Sequence, residues 1–418
     1  MGRARRSGQS VPATLSCAEA PAERALRFIA DVRGFSFDGA VTAEFEEAGL
    51  RYFVNAFWTA AQRQAHSIHE ISYRACFKAQ LPGFFIERLT QPGDLVYDPF
   101  SGRGTTAVQA ALMRRAVAAN DVNPLSAMLT APRLDPPALA DIAARLGTLD
   151  LSVDVGPDPR DGDLLAFYHP DTLRQIKALR AYLAGRGAWA DGVDRWLRMV
   201  ALNRLSGHSP GFFSVYTMPP NQAVSPASQR RINARRNQVP PPRDVPALIL
   251  KKTRTLLADG SPPPPAHPPV LLTGSAAATP ALANAAVDLI VTSPPFLDVV
   301  DYEGDNWLRC WFAGIEPAGV AIARHRDVGA WEGFVREAFI EFARVVRPGG
   351  VVAFEVGEVR QRAVLLERHV AAAIDGLPFD LMGVMVNQQS FTKTANCWGV
   401  GNNSSGTNTN RIVLAVRR

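Results

Sequence analysis

Residues 94–106 read DLVYDPFSGRGTT, an apolar run followed by two glycines and a threonine pair. The run from 94 to 100 has the length and composition of a buried β-strand. Gly102 and Gly104 allow a sharp turn and a close approach of the backbone to a ligand. The next residues, TTAVQAALMRR, have a helical pattern, and the first turn of a helix offers unpaired N–H groups. This order predicts an α/β fold with a ligand site at the end of the strand; a purely structural turn is the alternative.

Six further apolar runs have the length of strands, and several show little polar alternation. They are 116–123, 269–275, 287–296, 351–357, 380–389 and 411–418. Runs of this kind suit strands buried on both faces of a parallel sheet. Helical patterns lie between many of them, as in WEGFVREAFIEFARVV and QRAVLLERHVAAAIDG. We therefore predict an α/β, doubly wound, Rossmann-like sheet.

Two stretches interrupt the alternation of strands and helices. Residues 1–73 precede the first sheet strand, and we expect a basic tail and a mostly helical region there. Residues 135–268 separate the second and third strands by far more than an ordinary connection. That insert begins with helical patterns and ends in SPPPPAHPP, a stiff linker. A second, inserted unit is therefore predicted between the two halves of the sheet.

The positive charge of the chain is local. The net charge is +6 and the isoelectric point about 9.3. Between residues 201 and 254, nine Lys and Arg stand against Asp244 alone, so this segment carries +8 and the remainder −2. Such a concentration favours a polyanionic partner, and a solvated basic surface is the equal alternative.

Other sequence features predict a cytoplasmic protein without membrane or metal partners. No window has the length of apolar residues that a membrane span needs, and the basic N-terminus lacks the apolar core of a secretion signal. The four cysteines are scattered, without CxxC or Cys/His spacing. We expect reduced thiols and no metal site.

Two polar features follow other strands. Residues 292–296 read TSPPF, and two prolines that cannot donate to a ladder end the strand that starts at 287. Asp121 ends the second strand roughly 20 residues after the glycine turn, where an acid can accept hydrogen bonds from the ribose of a nucleoside cofactor. A turn or helix-capping role is the alternative for Asp121.

DPFSGRGTT, an acid after the next strand and TSPPF, in this order, resemble the DNA amino-methyltransferases. That family transfers a methyl group from S-adenosylmethionine to an exocyclic base nitrogen. FARVVRPGGVVAFEVG and TNTNRIVLAVRR also fit the family. The chain departs from the pattern after the third strand, where LLTGSA offers only Ser275 in place of an acid, and in the position of the long insert. The resemblance covers about 74–134 and 269–418.

The resemblance implies a class I methyltransferase fold and a division of the chain. Residues 1–73 are the N-terminal region, 74–134 the cofactor-binding half, 135–268 the inserted DNA-recognition domain and 269–418 the catalytic half. The implied cofactor is S-adenosylmethionine. The residues expected to bind it are Phe77, Lys78, Asp98, Phe100, Gly102, Gly104, Thr105, Thr106, Asp121 and Thr292. Asp98 is expected to orient the amino group of the cofactor, with capping of the glycine turn as its alternative.

The catalytic residues expected are Ser293, Pro294, Pro295 and Phe296. The amine of a base is a poor nucleophile. Hydrogen-bond acceptors for its N–H protons stabilise the positive charge that develops on nitrogen as the methyl group is transferred. The Ser293 hydroxyl and the Pro294 carbonyl can be such acceptors, held rigid by the prolines, while Phe296 can stack on a flipped base. The family uses Ser-Pro-Pro chiefly for N4 of cytosine. The alternatives are an N6-adenine methyltransferase, an RNA methyltransferase and a non-catalytic DNA-binding protein.

Duplex DNA is the expected partner, and a cognate restriction endonuclease can accompany such an enzyme. Aromatic residues interleave with basic ones in GHSPGFFSVY, as on many nucleic-acid surfaces. The residues expected to bind DNA are Arg204, His208, Arg230, Arg231, Arg235, Arg236, Lys251, Lys252 and Tyr302.

Overall fold

The computed structural model describes most of the chain as regular elements around one sheet. The described residues are 21–58, 65–74, 76–187, 190–219, 222–297, 302–320, 322, 325–359, 363–388 and 409–418. The helices are α1 (Pro21–Gly34), α2 (Gln80–Leu89), α3 (Thr105–Leu112), α4 (Leu125–Leu134), α5 (Leu139–Thr148), α6 (Asp161–Leu164), α7 (Pro170–Arg186), α8 (Gly192–Arg204), α9 (Pro226–Arg236), α10 (Val245–Leu256), α11 (Tyr302–Ala313), α12 (Val328–Val345) and α13 (Leu366–Ile374).

The strands belong to one large sheet and two small hairpins. They are β1 (Ser36–Phe37), β2 (Ala40–Val41), β3 (Ala43–Glu47), β4 (Leu50–Asn55), β5 (Leu95–Asp98), β6 (Ala116–Asp121), β7 (Val270–Thr273), β8 (Val287–Thr292), β9 (Val346–Val356), β10 (Glu358–Val359), β11 (Val364–Leu365), β12 (Phe379–Gln388) and β13 (Thr409–Arg417). The large sheet has nine strands in the order β3-β4-β12-β13-β9-β8-β5-β6-β7. Neighbours from β9 to β7 are parallel, whereas β13 is antiparallel to both β9 and β12. All seven strands expected from the sequence lie in this sheet, and the predicted α/β fold is confirmed.

Both faces of the sheet are covered, which explains the weak polar alternation of its strands. Successive residues of β8 enter different cores: Leu289 and Val291 pack with α1, α2 and α3, and Ile290 packs with α12 and α13. These residues are fully buried. Burial on both faces is what the continuous apolar runs of the sequence predicted.

The expectation of a mostly helical region before the first central strand holds for α1 and is wrong for residues 36–55. There the chain forms β1 to β4, and β4 pairs in parallel with β12, adding two strands to one edge of the sheet. A turn at Ala48 and Gly49, both with positive φ, joins β3 and β4 into a hairpin. Pairing with the sheet and burial of Phe53 outweigh the helix propensity of the glutamates.

The insert between β6 and β7 is helical, as predicted. Its helices α5, α7, α8 and α10 pack around Trp196, which is fully buried. The same core includes α4, which follows β6, and Leu308 and Phe312 of α11. The insert therefore shares its hydrophobic core with a helix that comes directly after the predicted catalytic loop. Among the described residues, none of the helices has both the length and the apolar character needed to span a membrane.

Candidate active site

The carboxyl ends of β5, β6, β7 and β8 meet at one edge of the sheet and open onto a cavity of about 510 Å³. Chain order reverses at β5, because β6 lies on one side of it and β8 on the other. Such a switch point is where open α/β sheets bind ligands. The cavity wall contains residues that follow each of the four strands, namely 100–102, 121–123, 273–276, Ser293 and Pro295. The structure thus brings the glycine turn, Asp121 and the Ser-Pro-Pro loop together around one space.

The glycine turn needs its two glycines for different reasons. Gly102 and Gly104 have φ angles of 54° and 77°, in the left-handed region that favours glycine. Gly102 lines the cavity. A Cβ atom on Gly104 would overlap the side chain of Thr130 in α4, lying 2.7 Å from its Cγ2. Gly104 thus lets α3 approach α4, and its predicted close approach to a ligand stays a prediction.

Asp121 lines the cavity with a carboxylate that the backbone holds in place. Its Oδ2 accepts a hydrogen bond from the N–H of Gly102 at 2.8 Å, and its Oδ1 accepts one from the N–H of Asn123 at 2.9 Å. Burial raises the pKa of Asp121, and the two backbone hydrogen bonds act in the opposite direction. The side chain thus closes the turn, and its remaining lone pairs stay available to a ligand hydroxyl.

Asp98 joins the ends of β5 and β8 beneath the cavity. Its side chain is buried, and Oδ1 accepts hydrogen bonds from the Thr292 hydroxyl at 2.6 Å and from the N–H of Phe100 at 3.2 Å. Burial raises the pKa of Asp98 to about 7, against the effect of these hydrogen bonds. Asp98 is not among the residues that line the described cavity. Its contacts indicate that Asp98 positions Thr292 and the loop that follows it.

The other predicted cofactor residues divide between the cavity and its surroundings. The Thr106 hydroxyl donates to the Val291 carbonyl at 3.1 Å, below the cavity. Lys78 lies in a small neighbouring depression with His69 and Arg103, and burial lowers its pKa. Three others of the predicted cofactor residues, Phe77, Phe100 and Thr105, line the cavity.

The Ser-Pro-Pro loop is held by α12. The indole Nε1 of Trp331 donates to the Pro295 carbonyl at 2.9 Å, and Pro294 is buried. Ser293 and Pro295 face the cavity. The ring of Phe296 packs half-buried against the core on the α12 face and is outside the described cavity wall. Stacking of a base on Phe296 remains a prediction that would use the exposed part of this ring.

A buried carboxyl group that sequence reasoning missed contacts the loop. Glu355 lies in β9 and is 6% exposed. The Ser293 hydroxyl and the Asn410 side-chain amide both donate hydrogen bonds to its carboxylate. Burial raises the pKa of Glu355 to about 7, while the two hydrogen bonds oppose that rise. The sequence could have indicated this group, because Glu355 is an acid inside the apolar run VVAFEVG. A buried strand rarely holds a carboxylate without hydrogen-bonding partners.

Three rings form another part of the cavity wall. The centroids of Phe100 and Phe334 are 5.5 Å apart, and those of Phe334 and His325 are 5.3 Å apart. All three residues line the cavity. Neither Phe334 nor His325 belongs to a motif, so the sequence carried no signal for this wall.

The polar atoms of the cavity suit a polar organic ligand. Ser101 is 5% exposed and lines the cavity, and its Oγ has no hydrogen-bonding partner among the described residues.

Within the described part of the chain, no group of three or more His, Cys, Asp or Glu side chains is placed to hold a metal ion.

Residues 45–124 match the DNA methylase family. The matched segment contains β5, the glycine turn and Asp121, and it ends before the Ser-Pro-Pro loop. No curated protein matches the chain significantly.

Similar solved structures are methyltransferases of several kinds. A geranyl diphosphate methyltransferase in complex with geranyl diphosphate and sinefungin has 9% identity over 82% of this chain and 79% of its own, with a TM-score of 0.33. An rRNA methyltransferase from Streptomyces viridochromogenes has 12% identity over 87% of this chain and 96% of its own, with a TM-score of 0.31. A candidate DNA modification methylase from Thermus thermophilus, bound to S-adenosyl-L-methionine, has 17% identity over 32% of this chain and 49% of its own, with a TM-score of 0.19.

The basic residues predicted to bind DNA differ in their surroundings. On α9, Arg231, Arg235 and Arg236 are exposed, and the Arg236 guanidinium lies 3.8 Å from the centre of the Tyr216 ring. Arg230 is also exposed, but it pairs with Asp163 at 2.8 Å. The end of α9 therefore presents a cationic surface, to which Arg230 contributes less than its charge suggests.

Other members of the predicted set have structural partners. The Arg204 guanidinium lies 3.9 Å from the centre of the Phe212 ring, and His208 packs against the same ring. Lys252 is buried and pairs with Glu70 at 3.5 Å, whereas Lys251 is exposed. Burial lowers the pKa of Lys252 to about 8. Lys252 thus joins the insert to Glu70 outside it, Arg204 packs within the insert, and the exposed Lys251 can meet a polyanion.

Tyr302 begins α11, directly after residues 298–301, which lie outside the described residues. Its side chain also lies outside the described part, so its predicted contact with DNA stays a prediction.

Proposed function

We propose that the protein is an S-adenosylmethionine-dependent DNA methyltransferase that acts on N4 of a cytosine flipped out of duplex DNA. One observation carries the proposal: Ser293, hydrogen-bonded to the buried Glu355, lines the same cavity as the glycine turn and Asp121. Acceptors for an amine and a wall suited to a nucleoside therefore face one space. The match of residues 45–124 to the DNA methylase family supports this assignment.

The residues around the cavity fit the cofactor. Gly102 offers a backbone without a side chain, Asp121 keeps lone pairs for ribose hydroxyls, and Ser101 Oγ is a buried polar atom that needs a partner. Phe77 and Thr105 complete this part of the wall. S-adenosylmethionine, when bound, supplies an electrophilic methyl group.

The loop supplies the acceptors for the target amine. When the Ser293 hydroxyl donates to Glu355, the lone pairs of its oxygen are free to accept an N–H of the base. The Pro294 carbonyl is the second predicted acceptor. As positive charge develops on nitrogen, the Glu355 carboxylate, with a pKa of about 7, can take a proton through the Ser293 hydroxyl. This arrangement activates a weakly nucleophilic amine and requires no covalent intermediate.

The insert is proposed to hold the DNA. The exposed arginines of α9 and Lys251 lie on it, and positive side chains of this kind contact phosphates. Ala223 N–H donates to the Asp305 carbonyl of α11 at 3.1 Å, and Trp307 of α11 donates to the Val224 carbonyl at 3.0 Å. The segment before α9 is thus joined to the helix that follows the catalytic loop.

The test is mass spectrometry of nucleosides from duplex DNA incubated with the protein and S-adenosylmethionine. We expect N4-methylcytosine. N6-methyladenine would overturn the base assignment, and modification of RNA alone would overturn the substrate class. Cofactor binding without any methylated nucleoside would favour a non-catalytic DNA-binding protein.

Ser293→Ala is the matched variant for this test. It should bind the cofactor with unchanged affinity in calorimetry but transfer the methyl more slowly, on the order of 100-fold, because the Ser293 hydroxyl acts where charge develops. An unchanged rate would remove Ser293 from the reaction.

A further inference from the structure

The imidazole of His325 lies in the cavity wall, and one of its nitrogens forms no hydrogen bond with the described residues. Its ring packs on Phe334, with an angle of 39° between the ring planes, and both residues line the cavity. Nε2 of His325 is buried, and no group among the described residues forms a hydrogen bond with it. A buried polar atom left unpaired costs about 1–3 kcal/mol. A ligand atom in the cavity would remove that cost.

The position of α12 locates this histidine along the sheet edge. At one point of the helix, Trp331 holds the Pro295 carbonyl of the catalytic loop. Further along, Glu341 accepts hydrogen bonds from the N–H of Thr279 at 2.8 Å and from its hydroxyl at 2.6 Å, in the turn after β7. Phe334 lies between these two residues on α12. Because its ring packs on that of Phe334, His325 lies near the part of α12 between the contacts with the Ser-Pro-Pro loop and with the segment after β7.

Asp121 ends β6, which lies between β5 with its glycine turn and β7. If the rest of the cofactor lies at the glycine turn, a nucleoside whose ribose contacts Asp121 would place its base on the β7 side. The segment after β7 lines the cavity with 273–276, which read Thr-Gly-Ser-Ala and contain no acid. The amino group of adenine needs an acceptor, and the neutral imidazole of histidine has one acceptor nitrogen.

We infer that Nε2 of His325 accepts a hydrogen bond from the exocyclic amino group of the cofactor's adenine, with Phe334 packing behind the imidazole. This inference rests on the proposed function. Recognition of adenine is thereby assigned to His325, just before α12, and to Phe334 in the second turn of that helix. An acid after β7 would then not be needed for it.

Calorimetry on the full chain with two product-like ligands tests the inference. The ligands are S-adenosylhomocysteine and its analogue in which hydrogen replaces the 6-amino group of the purine. Wild type should prefer the amino compound by about 5- to 10-fold, the ratio expected for one hydrogen bond. His325→Ala should weaken binding of S-adenosylhomocysteine by that factor and abolish the preference. His325→Gln, which keeps an acceptor oxygen, should restore part of it.

Ser101→Ala is the control, because it should weaken both ligands equally. Binding of both ligands by His325→Ala with the wild-type preference would overturn the inference while leaving the cofactor assignment intact. An effect of His325→Ala confined to the KM for DNA would also overturn it, since the histidine would then face the target base. Failure of the wild type to bind S-adenosylhomocysteine at all would instead refute the proposed function.

Discussion

Glu355 shows how one buried residue determines the chemistry available at the Ser-Pro-Pro loop. An acid within an apolar strand is costly unless hydrogen bonds stabilise it. Here the Ser293 hydroxyl and the Asn410 amide both donate to it, and its pKa is raised to about 7. The group therefore changes protonation near neutral pH and can act as a proton acceptor there.

The ionisation of Glu355 should set the pH dependence of methyl transfer. Below about pH 7 the carboxyl group is protonated and cannot take a proton from Ser293. We expect the single-turnover rate to rise with pH through a midpoint near 7, and Glu355→Gln to be slow and to lose this midpoint. Rates measured from about pH 5.5 to 8.5 provide the check; an identical profile in the variant would contradict the proposed role.

The same group should also affect stability. Its pKa is about 7 in the folded protein, against 4.5 for the unperturbed side chain. Because the folded state holds this proton more tightly, the contribution of Glu355 to stability is present below about pH 4.5 and is lost as pH rises through 7. Urea unfolding of Glu355→Gln should therefore depend less on pH between about 5 and 7 than wild type does.

At the scale of elements, the glycine turn joins β5 to α3 and also determines how α3 meets α4. Gly104 has no room for a Cβ because Thr130 occupies that space, whereas a Cβ on Gly102 would meet Cys76 Sγ at 3.4 Å. The two glycines should therefore respond differently to the same substitution.

Gly104→Ala should lose about 1–3 kcal/mol of stability through overpacking, in addition to the strain of a positive φ. Gly102→Ala bears the strain but little overlap, so it should lose less. Adding Thr130→Ala, which removes Oγ1 and Cγ2 from the contact, should recover part of the Gly104→Ala loss. Urea denaturation of the variants measures these changes; equal losses for the two glycines would contradict the packing reason.

The α9 helix should determine much of the salt dependence of DNA binding. Arg231, Arg235 and Arg236 are exposed there, and removing one phosphate contact lowers the slope of log affinity against log salt by up to about 0.9. Replacing these three with Ala should flatten the slope in fluorescence anisotropy titrations. Arg230→Ala should have a smaller effect because that residue pairs with Asp163. Arg33→Ala, which also removes one ion-paired arginine but outside the insert, is the control for Arg230→Ala. An unchanged slope in the triple variant would show that α9 faces away from DNA.

At the scale of the whole molecule, the insert shares a hydrophobic core with α11, the helix between β8 and β9. Trp196 of α8 is fully buried in the cluster that also contains Leu308 and Phe312 of α11. Its indole N–H donates to the Thr253 hydroxyl at 3.0 Å. Loss of packing in the insert should therefore reach the helix that follows the Ser-Pro-Pro loop.

Trp196→Ala should destabilise the protein by about 3–5 kcal/mol, the usual cost of removing a large buried side chain. Because the core is shared, the insert and the sheet should unfold in one transition, monitored together by far-ultraviolet circular dichroism and by fluorescence. Leu165→Ala is the control, since that side chain is 43% exposed. Two separate transitions would show that the insert is an independent unit.

The sequence by itself determined the features that short contiguous segments encode. Apolar runs predicted seven strands of the sheet, the two glycines predicted the turn after β5, and two prolines predicted the rigid loop after β8. These signals are local because backbone conformation depends on the residues that adopt it. The order of these features was sufficient to suggest the family that residues 45–124 match.

Only the tertiary structure decided which distant groups meet. Ser293, Glu355 and Asn410 come from three different elements, and Gly104 requires its small size because of Thr130 in another helix. The glutamate-rich residues 43–47 became a strand because a paired edge was available, although their composition favours a helix. Long-range contacts of this kind depend on chain topology, and single-sequence patterns do not record which strands and helices become neighbours.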